Sequence, residues 1–200
     1  MNKRSNPVYL SMVIPENDRV QQLRSINEQV QKSFGKLSPE VLNWKPNSDK
    51  WSIAEVLEHL NVVGRTYFEI FDKLLSGSRY KTPWLFSLIP FVRLNEKMIL
   101  KGVSADRRKK MKTFDLWQPD VSNISGNVPD EFQDVQEKLL RYYEDLDAQI
   151  KARKKISSPA NRMIVYRLDT AFDIIIEHEK RHFNQASEVL ELFNRKDEEQ

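Results

Sequence analysis

No cysteine occurs anywhere in the 200 residues. That removes disulfides, a thiolate nucleophile and every thiolate metal site, zinc fingers and iron–sulfur clusters included. The same absence fits a reducing compartment. Glycine is scarce, at 5 residues, which argues for helical structure and against a turn-rich all-β fold. Long apolar runs are missing as well: nothing approaches the roughly 18–20 consecutive apolar residues of a membrane span. The opening from Met1 to Asn17 begins basic, but its apolar stretch is short, interrupted by Ser11 and closed by Pro15. No secretory leader is expected, and the reading is a cytoplasmic protein.

What is present suits a globular chain, with 40% hydrophobic and 30% charged residues. The length predicts a single domain over 1–200, large enough to bury a core without staples. The net charge of +3 is concentrated: Lys101, Arg107, Arg108, Lys109, Lys110 and Lys112 face only Asp106, a local +5. The rest of the chain is slightly acidic. A nucleic-acid face spreads its cations over a surface, whereas one run of this kind reads as a solvated connector, so no nucleic-acid partner is expected.

Helical periodicity dominates. Val20, Leu23, Ile26, Val30, Phe34 and Leu37 recur at three- and four-residue spacing and predict a helix over about 16–35. A short helix follows, with Ser38 as N-cap and Pro39 in its first turn. The next start is the clearest in the chain: Ser52 and Glu55 stand at capping-box spacing, with Trp51 and Val56 at the staple positions. That helix should end near Gly77. A third pattern runs from Val128 to Ile150, and a fourth from about Thr170 to Phe193, before a charged tail over 195–200. No segment shows a trustworthy strand alternation. The architecture predicted is therefore all-α, a four-helix bundle.

A connection of about 50 residues, 77–126, joins the second and third long helices, and its length allows a crossover that would leave them parallel. It contains an apolar stretch, Pro83 to Val92. The plain reading is an extra helix or loop packed on the bundle; a substrate lid, a dimer surface and membrane-surface contact beside the basic run are the alternatives.

The chain has 3 histidines, His59, His178 and His182. His178 and His182 are four residues apart on the fourth helix, so both imidazoles leave one face one turn apart. Glu55, Val56, Val63, Thr66 and Ile70 share the His59 face; Ala171, Ile174, Ile175, Arg181, Gln185 and Val189 share that of His178. Both faces are largely apolar and inward. Spacing alone leaves a metal-ligand pair and a pair of packed core histidines equally open. A site of three imidazoles would suit Zn²⁺, Ni²⁺ or another divalent transition metal, with a coordination position left for water or substrate.

Two blocks carry a resemblance. Leu37-Ser38-Pro39-Glu40, Leu42-Asn43-Trp44-Lys45-Pro46 and Lys50-Trp51-Ser52-Ile53-Ala54-Glu55-Val56-Leu57-Glu58-His59-Leu60 resemble the opening of the DinB/YfiT-like metalloprotein superfamily. His178-Glu179-Lys180-Arg181-His182-Phe183-Asn184-Gln185-Ala186 resembles that family's second block. The likeness covers about 37–60 and 170–190, and residues 77–126 match no motif. It implies a four-helix bundle in which His59, His178 and His182 hold a divalent ion, often nickel or zinc. Despite the name, the family is unrelated to the translesion polymerase called DinB. Characterised members include transferases and isomerases that use a low-molecular-weight thiol such as bacillithiol, mycothiol or glutathione.

The resemblance thus implies a thiol-dependent S-transferase, or a related metal-dependent hydrolase, acting on a small electrophilic molecule, and leaves room for a homodimer. In a chain without cysteine the reacting thiol would come from a cosubstrate. The competing reading is a non-catalytic binding or stress-response bundle with a structural or vestigial metal site. Around the triad, Glu55 reads first as the capping-box partner of Ser52 and second as a contact for bound water. Gln185 is placed to orient a ligand or substrate, Arg181 to meet a carboxylate or simply solvent, and Thr66 to line a pocket or space the bundle. Trp44, Trp51 and Phe183 read as packing, and Glu177 and Glu179 as solvated or supporting residues.

Overall fold

The computed structural model describes residues 19–104, 113–119, 124 and 126–198. The leader-free reading of the first 17 residues, and the basic run beyond Lys101, fall outside the described residues. Helix α1 (Arg19–Phe34) buries Leu23, Ile26, Val30 and Phe34, and Ser38 caps the short α2 (Pro39–Asn43). In α3 (Ile53–Leu75) the capping box is complete. Ser52 Oγ accepts from the Glu55 N–H at 3.1 Å, and Glu55 Oε2 accepts from the Ser52 N–H at 2.7 Å. Gly77, at φ 69°, turns the chain away just after the helix in a conformation that side chains avoid.

The long connection is structured. A 3-10 turn, Leu85–Ser87, leads into α4 (Ile89–Val103), and a second 3-10 turn, Asp115–Trp117, precedes α5 (Val128–Asp145). The third periodic pattern breaks at Leu146, and a separate α6 (Asp147–Lys151) completes it. The expectation of no strands needs correction. Strands β1 (Lys155–Ser157) and β2 (Val165–Arg167) form an antiparallel ribbon with Ile156 opposite Tyr166. Three residues per strand are too few to display an alternation. Helix α7 (Leu168–Glu198) runs through the start of the charged tail.

Helices α1, α3, α5 and α7 form the bundle, with α1 and α3 each bordering both α5 and α7. Side-chain pairs give the directions. Arg19 meets Asp173 and Phe34 meets Phe183, so α1 and α7 run the same way. Phe71 stacks on Phe172 while His59 faces His178, so α3 opposes α7. Arg65 meets Glu131 and Asp72 meets Tyr142, so α3 and α5 are parallel, as the long crossover allows. Helices α3 and α5 approach closely at Gly64, where an added Cβ would stand 2.7 Å from Val135 Cγ1.

Helix α4 lies outside this square, against α7 and β2. Its inner face buries Val92 and Glu96. Glu96 Oε1 accepts from the Arg167 N–H, the Arg167 Nε–H and the Thr170 hydroxyl at 3.1, 2.8 and 3.0 Å. A carboxylate so buried is stable only because charged and neutral donors converge on it. The apolar stretch is thus an extra helix packed on the bundle, as expected, although its outer side is left uncovered. No helix among the described residues is long and apolar enough to cross a membrane.

Candidate metal centre

His59 is fixed by the local signals that start α3: the capping box sets the helix phase at Ser52, and two turns later the imidazole points inward, 1% exposed. His178 and His182 leave one face of α7, and because α7 packs antiparallel to α3 the three rings meet. Their centroids are 5.0, 4.7 and 4.5 Å apart. One ring nitrogen from each lies within 4.8 Å of the others, and His59 Nε2 stands 3.3 Å from His178 Nε2. Two imidazole nitrogens held tetrahedrally at about 2.0–2.1 Å from one Zn²⁺ would be about 3.3–3.4 Å apart. The spacing of this pair is that of a shared ion.

The protonation pattern fits as well. His59 Nδ1 lies 2.6 Å from the Trp117 carbonyl oxygen. A carbonyl can only accept, so Nδ1 carries the proton and the neutral ring presents a bare Nε2 lone pair to the centre. Burial lowers His59 to about 4 even though the Trp117 carbonyl favours its charged form. Burial, then the nearby charges of His59 and Arg181, lower His182 to about 3. His178 is pushed well below 6.5, by burial first and by its two partner imidazoles and Arg181 next. All three are neutral near pH 7, the form that ligates metal. Among the described residues His182 Nδ1 is buried with no hydrogen-bond partner, a polar atom whose burial costs free energy unless something binds it.

The profile of the DinB superfamily matches residues 22–186, and that span contains all three imidazoles. The chain belongs to the DinB superfamily. An uncharacterized protein of Bacillus subtilis (strain 168), YuaE, is 29% identical over 160 residues, covering 80% of this chain and 89% of that one. No solved structure matches.

Around the triad of this DinB-superfamily chain, the other expected site residues divide. Glu55 is occupied by structure: one oxygen closes the capping box and the other receives Lys45 Nζ at 2.9 Å. Both oxygens thus serve the start of α3. Thr66 acts at one remove. Its hydroxyl donates to the Val63 carbonyl at 2.6 Å and accepts from Trp117 Nε1 at 3.2 Å, so it pins the turn whose carbonyl orients His59. Arg181 Nη1 donates to the Gly102 carbonyl at 3.1 Å, tying the end of α4 to α7 while placing a cation beside the imidazoles. Gln185, three residues beyond His182, favours the protonated form of that ring through its side chain.

Trp51 packs as expected, and what it packs on is the site: its ring lies 5.0 Å from that of His59 and 6.2 Å from that of His182. Trp44 meets Phe193, and Phe183 meets Phe34. Glu177 pairs with Lys180 at 2.8 Å, whereas Glu179 is buried, 3% exposed, against Gln136. Trp117 went unnoticed in the sequence. The group that matters there is a backbone carbonyl, which every residue possesses, so no side-chain pattern could mark it.

Proposed function

We propose that the chain is a metal-dependent enzyme whose His59, His178 and His182 hold a divalent ion, Ni²⁺ or Zn²⁺ being best suited to an all-imidazole donor set. The observation carrying this is the 3.3 Å approach of two buried imidazole nitrogens within a triad of neutral rings. Such an ion supplies Lewis acidity, which at neutral pH favours the anionic form of a water or thiol placed beside it. The protein does the rest. The Trp117 carbonyl holds the His59 tautomer, Trp51 shields two of the rings from water, and Arg181 offers positive charge to an anionic group of a small substrate. Gln185 is available to orient that substrate.

With no cysteine in the chain, thiol chemistry here needs a low-molecular-weight thiol as cosubstrate. We favour a thiol-dependent S-transferase acting on a small electrophile over a hydrolase, on the precedent of the family. The lack of cysteine suits a cytoplasmic setting. A second reading has its own support: the triad bridges α3 and α7, so an ion there could serve only to fasten the bundle.

The test is elemental mass spectrometry on untagged protein beside His59→Ala, His178→Ala and His182→Ala, followed by screens of thiol–electrophile pairs, esters and amides. We expect about one ion per chain, lost in each variant, and metal-dependent turnover of thiol–electrophile pairs. A wild type that takes up no added Ni²⁺, Zn²⁺ or Mn²⁺ would overturn the metal site. Stoichiometric metal that raises the melting temperature without any turnover would favour the fastening role.

A further inference from the structure

Most of the large apolar side chains left exposed cluster in one place. Val92 and Glu96 face the bundle, which turns Phe91, Leu94 and Met98 outward as a ridge on one side of the helix, while Ile89 is exposed at its start. Trp84, Leu85 and Leu88 extend it through the preceding 3-10 turn. Trp84 is 78% exposed, Leu94 62% and Ile89 61%. Scattered apolar side chains on a surface are ordinary, but a contiguous ridge of them marks an interaction site.

The charge around this ridge has one sign. Arg79, Lys81, Arg93, Lys97 and Lys101 are exposed. Between 76 and 104 the only acidic residue is Glu96, which is buried and taken up by Arg167 and Thr170. Among the described residues none of these five cations makes an ion pair. Arg79 and Lys81 also line, with Lys73, Arg162 and one carboxylate, Glu69, which pairs with Lys73, a cleft of about 550 Å³ that stays net basic. Ser157 borders the same cleft, and its buried hydroxyl has no partner among the described residues. Lys81 is three residues from Trp84, within about 10 Å along the chain, so this basic cleft lies near the apolar ridge.

We propose that the outer face of α4 and its preceding turn dock on the surface of an anionic phospholipid bilayer. Phe91, Leu94 and Met98 reach the boundary of the acyl chains, while the five cations stay at headgroup level. Charge decides among occupants. A second copy of the chain would set five unpaired cations against five more, and a nucleic acid would gain nothing from the apolar ridge. An anionic lipid surface satisfies both halves. The contact is peripheral, and it holds whether or not the metal site is catalytic.

The experiment is co-sedimentation of the full chain with vesicles of phosphatidylcholine mixed with phosphatidylglycerol, beside pure phosphatidylcholine vesicles, at low and high salt. Binding is expected to the mixed vesicles alone and to weaken with salt. Each surface cation contributes about five-fold in partitioning, so Lys97→Glu with Lys101→Glu should weaken binding at least ten-fold. Phe91→Ser, Leu94→Ser and Met98→Ser together should do the same, with an unchanged far-ultraviolet circular dichroism spectrum. Failure of the wild type to sediment with mixed vesicles at low salt would overturn the proposal, as would equal binding by both variants. Sedimentation equilibrium showing a dimer that the triple variant dissolves, with no recruitment to vesicles, would assign the face to a second copy instead.

Discussion

Glu179 offers a direct test of the electrostatics inside the bundle. It follows His178 in the chain, yet its carboxyl is buried among the helices and, among the described residues, has one hydrogen bond, from Gln136 Nε2 at 2.6 Å, with Oε2 unpartnered. It makes no ion pair among the described residues. Burial raises its pKa to about 8 from 4.5, with the Gln136 amide working the other way. The folded protein therefore keeps a proton that the unfolded chain releases. Stability is fully present below pH 4.5 and falls by about 1.4 kcal/mol for each pH unit up to about 8, a total near 5 kcal/mol.

The imidazoles act in the opposite sense. Their pKa values are lowered on folding, so their contribution is present above 6.5 and is lost as the pH falls toward about 4 for His59 and about 3 for His182. At pH 6.5 half of the unfolded imidazoles still carry a proton, and they are neutral in both states only above about pH 7.5, so the contribution of Glu179 is isolated by comparing wild type with a variant that lacks its carboxyl. Glu179→Gln keeps the shape and removes the titration. In urea unfolding of metal-free protein, the variant should match the wild type near pH 5 and exceed it by several kcal/mol at pH 8. Parallel stability curves for the two proteins from pH 6.5 to 8 would refute the buried neutral carboxyl.

Two further outcomes follow from close contacts. Gly64→Ala places a methyl 2.7 Å from Val135 Cγ1. Overpacking costs about 1–3 kcal/mol, against a helix-propensity gain of up to about 1 kcal/mol. The chain should lose stability overall, and the double variant with Val135→Ala should lose less than the two single losses combined; strict additivity in thermal melts would contradict that approach of α3 to α5. Thr66→Val removes the acceptor for Trp117 Nε1 and so loosens the carbonyl that orients His59. Metal affinity, read by competition with a chromophoric chelator, should fall about ten-fold or more, with the melting temperature of the metal-free protein little changed. Wild-type affinity in that variant would remove Trp117 from the site.

Much of this protein is local, and local features are legible in the chain. The start of α3 is written in Ser52 and Glu55 because a cap is satisfied within three residues. The four long helices show in their apolar spacing because each buries one face. The pairing of His178 with His182 needs only one helical turn. The ribbon of β1 and β2 escaped because three residues cannot establish a period, and α4 could be placed on the bundle without its outer ridge being seen as uncovered. What only tertiary structure decided are the contacts between distant segments. His59 reaches His178 across 119 residues of chain because α3 runs antiparallel to α7, and its tautomer depends on a carbonyl 58 residues away. Glu179 shares a helix with solvated residues and becomes a neutral buried acid only because the packed helices enclose it, with Gln136 of α5 donating to one of its oxygens. A single helix's periodicity says which of its faces is apolar; which groups from other helices meet that face, and so which atoms share a proton or a metal ion, is set by how the helices cross.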